Sequence, residues 1–383
     1  MTPRPLDGLL VIDLTHFIAG PLCTRLLADL GARVIKVERV YAGDARPSSD
    51  AATDSLGKQS ICVDLTTAEG QAIVRKLAER ADILVQNFRP GVMARWGLAF
   101  EDLQGSNPGL ILASVSGFGQ SGTFASRPAF GATAHAEAGL LWLQQMARGN
   151  DSEPFAPGIQ VADIVTALCT LSGVLAALHQ RTATGRGQHV DISLMDSQLF
   201  MLAGPLAEIL NPSSDEAWQP FRHPIHRSSD GRHFTINIAS EHNWRRLALA
   251  LGHSEFAGPV PKDGNALIAE WIGALDAAEV VRALDTVGAP YGLVKSLREA
   301  VEHPYVRERG MVVEVPDQQG KTTRVVRNPF FFSESDTTPT AGPPLAGQNS
   351  HRVLEELGFS DQEIASFEAE GIVRDASAPH ISA

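Results

Sequence analysis

GLLVIDLTHFIAGPLCTRLLADLGARVIKVE, residues 8–38, decides the fold. GLLVIDL (8–14) is a compact apolar run of strand formers, and THFIAGP follows as a turn. LCTRLLADLG then spaces its apolar residues as a helix does, and ARVIKVE (32–38) reads as a second strand. A strand, a crossover helix and another strand make a βαβ unit, the seed of a parallel sheet.

The pattern continues outward. SICVDL (60–65) reads as a strand, AEGQAIVRKLAERA (68–81) as a helix, DILVQNF (82–88) as a strand, and LILASVSGFG (110–119) as another after a helix near VMARWGL. A long helix from Asp163 and the strand QHVDISL (188–194) close an α/β region over 1–204. Residues 205–230 are polar and proline-containing, as a linker is. A smaller α/β domain is expected over 231–327, with the strand HFTINIA (233–239) and helices near 243–251, 265–275 and 277–287. It ends in a hairpin, MVVEVPDQQGKTTRVV, turning at PDQQG. Residues 328–350 hold four prolines and little periodicity. So long an irregular stretch is expected to run extended over another surface, a partner subunit being one candidate. HRVLEELG and DQEIASFEAEG then read as two closing helices.

The chain has 383 residues, 44% hydrophobic and 20% charged, the balance of an ordinary globular protein. Its 32 basic and 44 acidic residues give a net charge of −12, which argues against a nucleic-acid partner. A local basic pocket for one phosphorylated small molecule stays open. Cys23, Cys62 and Cys169 are far apart and lack metal-ligand spacing, so three reduced thiols in a cytoplasmic protein are expected. MTPRPLDGLLVIDL lacks the apolar core of a signal peptide. The most apolar helix, near 164–178, reads as shorter than the roughly 20 residues of a membrane span, so no membrane partner is expected.

Several chemistries lack their signatures. HFIAGP has one glycine where a dinucleotide fold needs two or three, although Glu38 ends the second strand where a ribose acceptor would sit. GRGQHVD (185–191) has no Lys-Ser/Thr pair for a phosphate loop. Neither GxSxG nor HExxH occurs.

One acid stands apart. In QVADIVTALCTLSGVLAALHQ (160–180), Asp163 heads a long apolar run with no basic residue near it in sequence. It could complement the helix dipole, worth about 0.3–1 kcal/mol. It could equally be a nucleophile fixed rigidly by a helix start beside a reactive carbonyl. Composition does not separate the two.

The company this stretch keeps does. LDGLLVIDLTHFIAGPLCTRLLADLGARVIKVER, AGDARP, GKQSICVDL, ADILVQNFRPGVMARWGL, NPGLILASVSGFGQSG, DIVTALCTLSGVLAALHQRTATGRGQHVDISLMDS and the tail GQNSHRVLEELGFSDQEI occur in an order and spacing that resemble the family III CoA-transferases. These are the kin of formyl-CoA transferase and carnitine CoA-transferase, and α-methylacyl-CoA racemases share the superfamily. The resemblance spans nearly the whole chain. It implies a large Rossmann-like domain, a smaller α/β domain, C-terminal helices returning to the large domain, and an interlocked homodimer. It also implies acyl-CoA as co-substrate, a free carboxylic acid as the other substrate, and no metal.

The family's nucleophile falls on Asp163. The implied chemistry is an aspartyl–acyl anhydride followed by an aspartyl–CoA thioester. A carboxylate of ordinary pKa is ionised at neutral pH and needs no general base. Positioning can supply up to about 7–11 kcal/mol, and N–H groups aimed at the oxyanion about 3–4 kcal/mol more. The family's CoA contacts fall on Ile18, Ala19, Arg39, Val63, Asp64, Leu65 and Thr66, then on Asn87, Phe88, Arg95, Ala129 and Phe130. Arg39 and Arg95 suit the phosphates of CoA, with Arg89 nearby.

Departures from the pattern bear on substrate. Ile18 stands where formyl-CoA transferase has glutamine, and FRHPIHRSSDG (221–231) replaces its glycine-rich loop. Arg222, His223, His226 and Arg227 of that stretch are candidates to grip a substrate carboxylate. A racemase is the main alternative, and a CoA-binding protein without turnover is the second. The racemase needs a histidine in a Gly-His-Asp triplet, where this chain has Ala129, Phe130 and Gly131. His135 lies more than a helical turn away and reads as structural, which disfavours two-sided proton exchange.

Overall fold

A computed structural model describes residues 3–40, 53–149, 152–212, 218–220, 222–236, 240–316, 320 and 322–376. AGDARP (42–47), the end of HFTINIA (237–239), Phe221 and most of the PDQQG turn lie outside the described residues. The strands are β1 Leu10–Leu14, β2 Arg33–Glu38, β3 Gln59–Val63, β4 Ile83–Gln86, β5 Ile111–Ser116 and β6 His189–Ser193. Then follow β7 Ile225–Arg227, β8 His233–Ile236, β9 Tyr291–Leu293, β10 Val312–Pro316, β11 Thr322–Val326 and β12 Val373–Arg374.

The large sheet has the order β12-β3-β2-β1-β4-β5-β6. β1 to β6 are all parallel, and β12 adds an antiparallel edge to β3. The order 3-2-1-4-5-6 is that of the Rossmann fold. Alternate residues of each strand face opposite layers. Ile12, Leu14, Ile35 and Leu84 pack on Ile73 and Leu77 of the helix Ala68–Arg80, and Val353 and Ile364 of the two closing helices join them. Val11, Val34, Ile83 and Val85 pack instead with Leu27 and Leu171 of the helices Ala19–Asp29 and Val161–Thr184. Both faces are covered, which is why the strands read as near-continuous apolar runs.

The chain divides into two compact units, residues 1–218 with 310–383, and residues 219–309. Both limits differ from the expected 205–230 linker and 231–327 domain. The helix Ala203–Leu210 extends the large unit into the stretch read as linker, and β7 begins the small unit inside it. The hairpin β10–β11 forms as expected but belongs to the large unit. Arg25 Nη2 donates to Val326 O at 2.7 Å, and the Gly342 N–H donates to Pro316 O at 2.9 Å. The small unit holds the three-stranded sheet β7-β8-β9 and a core around Trp244, Phe234 and Ile268.

Residues 328–349 have no helix or strand and lie across their own large unit. Asn328 Nδ2 donates to Asp29 Oδ2 at 3.2 Å, and the Gly347 N–H donates to Ser60 Oγ at 2.9 Å. The apolar helix is longer than its sequence suggested. It runs Val161–Thr184, 24 residues, because the polar RTAT stretch continues it to Gly185, whose φ of +68° closes it. Length and composition thus do not rule out a membrane span for it. One face, with Ala167, Leu171 and Val174, is buried against the sheet layer.

A buried ion pair braces the C-terminal end of β1. Asp13 Oδ2 accepts from Lys58 Nζ at 2.9 Å, and both side chains are fully buried. Lys58 Nζ also donates to Pro21 O at 2.9 Å and Thr24 Oγ1 at 2.7 Å. Burial alone would raise the Asp13 carboxyl, but the charges of Lys58 and Lys36 and hydrogen bonds from Lys58 and Thr15 hold it well below its ordinary range. Lys58→Met, which leaves Asp13 buried and unpaired, is expected to cost about 3–5 kcal/mol in urea unfolding.

Candidate active site

Helices that leave β1 and β4 for opposite faces of the sheet open a crevice between the strand ends, the place where doubly wound folds bind ligands. Here the crevice is a cleft of about 810 Å³, its open mouth included. Phe17 and Ala19 enter it after β1, Asn87 to Pro90 after β4, and Ser116 and Gly117 at the end of β5. Asn87 ties the first two loops together. Its Oδ1 accepts from the His16 N–H at 2.9 Å and its Nδ2 donates to His16 O at 2.7 Å. Gln86 Oε1 holds the next turn by accepting from the Phe88 N–H at 2.7 Å.

Two aromatic residues flank the cleft. Phe17 is exposed and has φ +65°, the one non-glycine residue in the left-handed region among the described residues. Such a conformation costs of order 1–3 kcal/mol and is held only where its surroundings demand it. Its ring meets that of Phe130 edge-on, centroids 5.2 Å apart. Arg89 and Arg127 also line the cleft, and Arg127 pairs with Glu137, with one of its two hydrogen bonds at 2.8 Å.

Asp163 lies in this cleft, in the first turn of Val161–Thr184. Among the described residues its carboxylate has no ion-pair partner. Burial raises its pKa to about 6, and a hydrogen bond with its own backbone offsets that only in part. A carboxylate serving as a helix cap would be stabilised in its charged form. Asp163 is destabilised in it.

Of the other expected residues, Ala19, Asn87, Phe88, Ala129 and Phe130 line the same cleft. Ile18, half-buried, is the N-cap of Ala19–Asp29 beside it. Arg39 is exposed just after β2, and Arg95 is exposed in the helix Val92–Arg95 after β4. Val63 ends β3, and Asp64, Leu65 and Thr66 form the turn that follows. Parallel pairing puts all of these strand ends on one edge of the sheet. His226 is buried in β7 of the small unit, so its side chain belongs to that unit's core and not to an open polar loop. Phe17 and Arg127 were not singled out from sequence. Backbone torsion leaves no mark in residue type, and an Arg in a loop reads as surface.

Fold and cleft together define a doubly wound α/β protein with a ligand crevice and a half-buried carboxylate in it. Residues 6–350 match the model of CoA-transferase family III. The chain belongs to that family, and it is an enzyme of the acyl-CoA:carboxylate CoA-transferase class. It is 32% identical to the succinyl-CoA–D-citramalate CoA-transferase of Chloroflexus aurantiacus, over 97% of this chain and 98% of that one. It is 30% identical to the formyl-CoA:oxalate CoA-transferase of Streptomyces coelicolor, over 97% of this chain and all of that one. A crystal structure of a CAIB/BAIF family protein from Brucella suis superposes with a TM-score of 0.80 at 29% identity, covering 93% of this chain and all of the other.

The burial of Asp163 sets a pH dependence. If its ionised form is the reactive one, kcat/KM is expected to fall about tenfold per pH unit below about 6 and to level off above. Because the folded pKa is raised, the charged acid costs stability above pH 6. Asp163→Asn should therefore raise the melting temperature at pH 8, and the gain should fade as pH drops through 6 towards 4.

Proposed function

We propose that the enzyme moves coenzyme A from an acyl-CoA thioester to a free carboxylic acid through covalent intermediates on Asp163. An Asp163 oxygen attacks the thioester carbonyl, the C–S bond breaks, and CoA thiolate leaves an aspartyl–acyl anhydride. The thiolate attacks the aspartyl carbonyl carbon, giving aspartyl–CoA thioester and releasing the donor acid as its carboxylate. The acceptor carboxylate displaces thiolate to form a second anhydride. Thiolate then attacks the acceptor's carbonyl, and Asp163 is released unchanged. One thioester is exchanged for another, so neither ATP nor a metal enters.

The observation that carries this reading is a partly desolvated carboxylate, free of any cation among the described residues, in the crevice at the strand-order reversal. With a pKa of about 6 it is about nine-tenths ionised at pH 7, so it needs no base. Partial burial also favours the nucleophile and keeps an anhydride from water. Coenzyme A would lie along the strand ends, its acyl end by Ala129 and Phe130 and its phosphates near Arg39 and Arg95. The names of the relatives, which include D-citramalate and oxalate, support a short carboxylic acid as acceptor. Exposed Leu168, Leu175, Phe200 and Leu210 on the large unit support a homodimer. Three free cysteines support a cytoplasmic setting.

A racemase would need a second base opposite Asp163. His135 is buried, and its Nε2 already accepts from the Ala162 N–H, which leaves it unavailable for that role.

Hydroxylamine added during turnover should modify Asp163, as read by mass spectrometry of its peptide. Asp163→Ala should lower CoA exchange by about 10³-fold or more while acyl-CoA binding persists. CoA exchange with a panel of mono- and dicarboxylates supports the transferase. Deuterium uptake at the α-carbon in D₂O without exchange would instead mark a racemase, and neither outcome a binding protein without turnover.

A further inference from the structure

The short helix Gly131–Glu137 packs on the start of Val161–Thr184. Gly131 and His135, four residues apart, share one face of it. Both meet the turn that carries Asp163.

At Gly131 a Cβ atom would lie 2.1 Å from Asp163 Oδ2 and 3.3 Å from Asp163 Cγ. Gly131 is not among the glycines with positive φ, so its backbone would accept alanine. The glycine supplies room, not conformational freedom. The atoms in the way are the ends of two side chains, Asp163 and, at 3.1 Å, Gln160 Oε1, and not backbone, so a methyl group there would rotate the carboxylate, with a small shift of the Gln160 amide, and leave the helices in place.

His135 acts on the backbone one residue before the acid. Its Nε2 accepts from the Ala162 N–H at 2.9 Å, and the residue is 2% exposed. The first N–H groups of a helix lack partners within it, and the N-cap residue Gln160 provides no side-chain cap. His135 supplies that acceptor from another helix. An accepting Nε2 leaves the ring proton on Nδ1.

We propose that Gly131 and His135 are positioning residues for CoA transfer, Gly131 by leaving the volume that the Asp163 carboxylate occupies and His135 by fixing the backbone at Ala162. This rests on Asp163 being the nucleophile. Neither residue touches substrate in this account. Each acts on where the Asp163 oxygens point, and a misplacement of about 1 Å can cost on the order of 100-fold in rate.

The test compares Gly131→Ala, His135→Ala, His135→Gln and Asp163→Asn in the full-length enzyme. It measures melting temperature, acyl-CoA Kd, kcat, KM and the rate of hydroxylamine-trapped Asp163 formation. Gly131→Ala should fold and melt close to the wild-type temperature, since the added methyl displaces only the ends of side chains. It should also keep its Kd and lose about 100-fold in kcat and in trapping rate. His135→Ala should lose about tenfold or more in kcat, and His135→Gln, whose amide oxygen can accept the same N–H without titrating, should regain most of it. Wild-type kcat in Gly131→Ala overturns the role of Gly131. Wild-type kcat in His135→Ala, or His135→Gln as slow as His135→Ala, overturns that of His135. If Gly131→Ala and His135→Ala are fast while Asp163→Asn is dead, positioning fails and the nucleophile stands. If Asp163→Asn is itself fast, the nucleophile reading fails and takes positioning with it.

Discussion

Between β1 and β4 the chain reverses the direction in which it adds strands, and the rest of the molecule is arranged around that reversal. A parallel sheet whose crossovers all lie on one face has no opening between neighbouring strand ends. When they diverge, a crevice appears at the carboxyl edge without any side chain being spent on it. The cost is that two loops are left without a helix between them to set their spacing. Asn87 sets it, by exchanging two hydrogen bonds with the backbone of His16. Beneath, the buried pair of Asp13 and Lys58 fixes the end of β1 to the start of the next helix through Pro21 and Thr24.

The same logic explains what could be read from sequence. β1 to β6 are apolar on both faces, so they stand out as compact runs of Val, Ile and Leu. The helix Ala68–Arg80 shows its period and its Thr67 cap. Hidden elements were those with too little length to carry a period. β12 has two residues and β7 three, and each exists only because a neighbouring strand offers an edge. GATAHAE, the helix Gly131–Glu137, has no apolar stripe, since small residues cover most of it. The hairpin β10–β11 was visible, but its membership of the large unit rests on contacts distant in sequence, among them the hydrogen bond from Arg25, some 300 positions away.

In the cleft, sequence legibility follows the same division. Asp163 was conspicuous because an acid ahead of an apolar helix is easy to see, yet its meaning was not fixed by that pattern. What distinguishes it is burial without a counter-ion among the described residues, a three-dimensional property. Gly131 and Phe17 are opposite cases of one limit. The first is a residue type that allows close approach, the second a bulky residue in a torsion that glycine would adopt more readily, and neither torsion nor approach is written in the one-letter code.

An acid in the first turn of a helix has an easy alternative occupation, because the free N–H groups there attract it. Were Asp163 satisfied in that way, its carboxylate would be stabilised, its pKa would fall, and its lone pairs would be committed to the backbone. The structure divides the work differently. A histidine from a separate helix accepts the Ala162 N–H, and the neighbouring glycine leaves a space into which the acid turns. The cap at Ala162 falls to the neutral imidazole of His135, and the Asp163 carboxylate is left, among the described residues, with a hydrogen bond to its own backbone alone. The rise in the Asp163 pKa comes from burial, which outweighs that one hydrogen bond. A carboxylate that is less comfortable as an anion is a more basic nucleophile, and at a pKa of about 6 it is still mostly ionised where the enzyme would work.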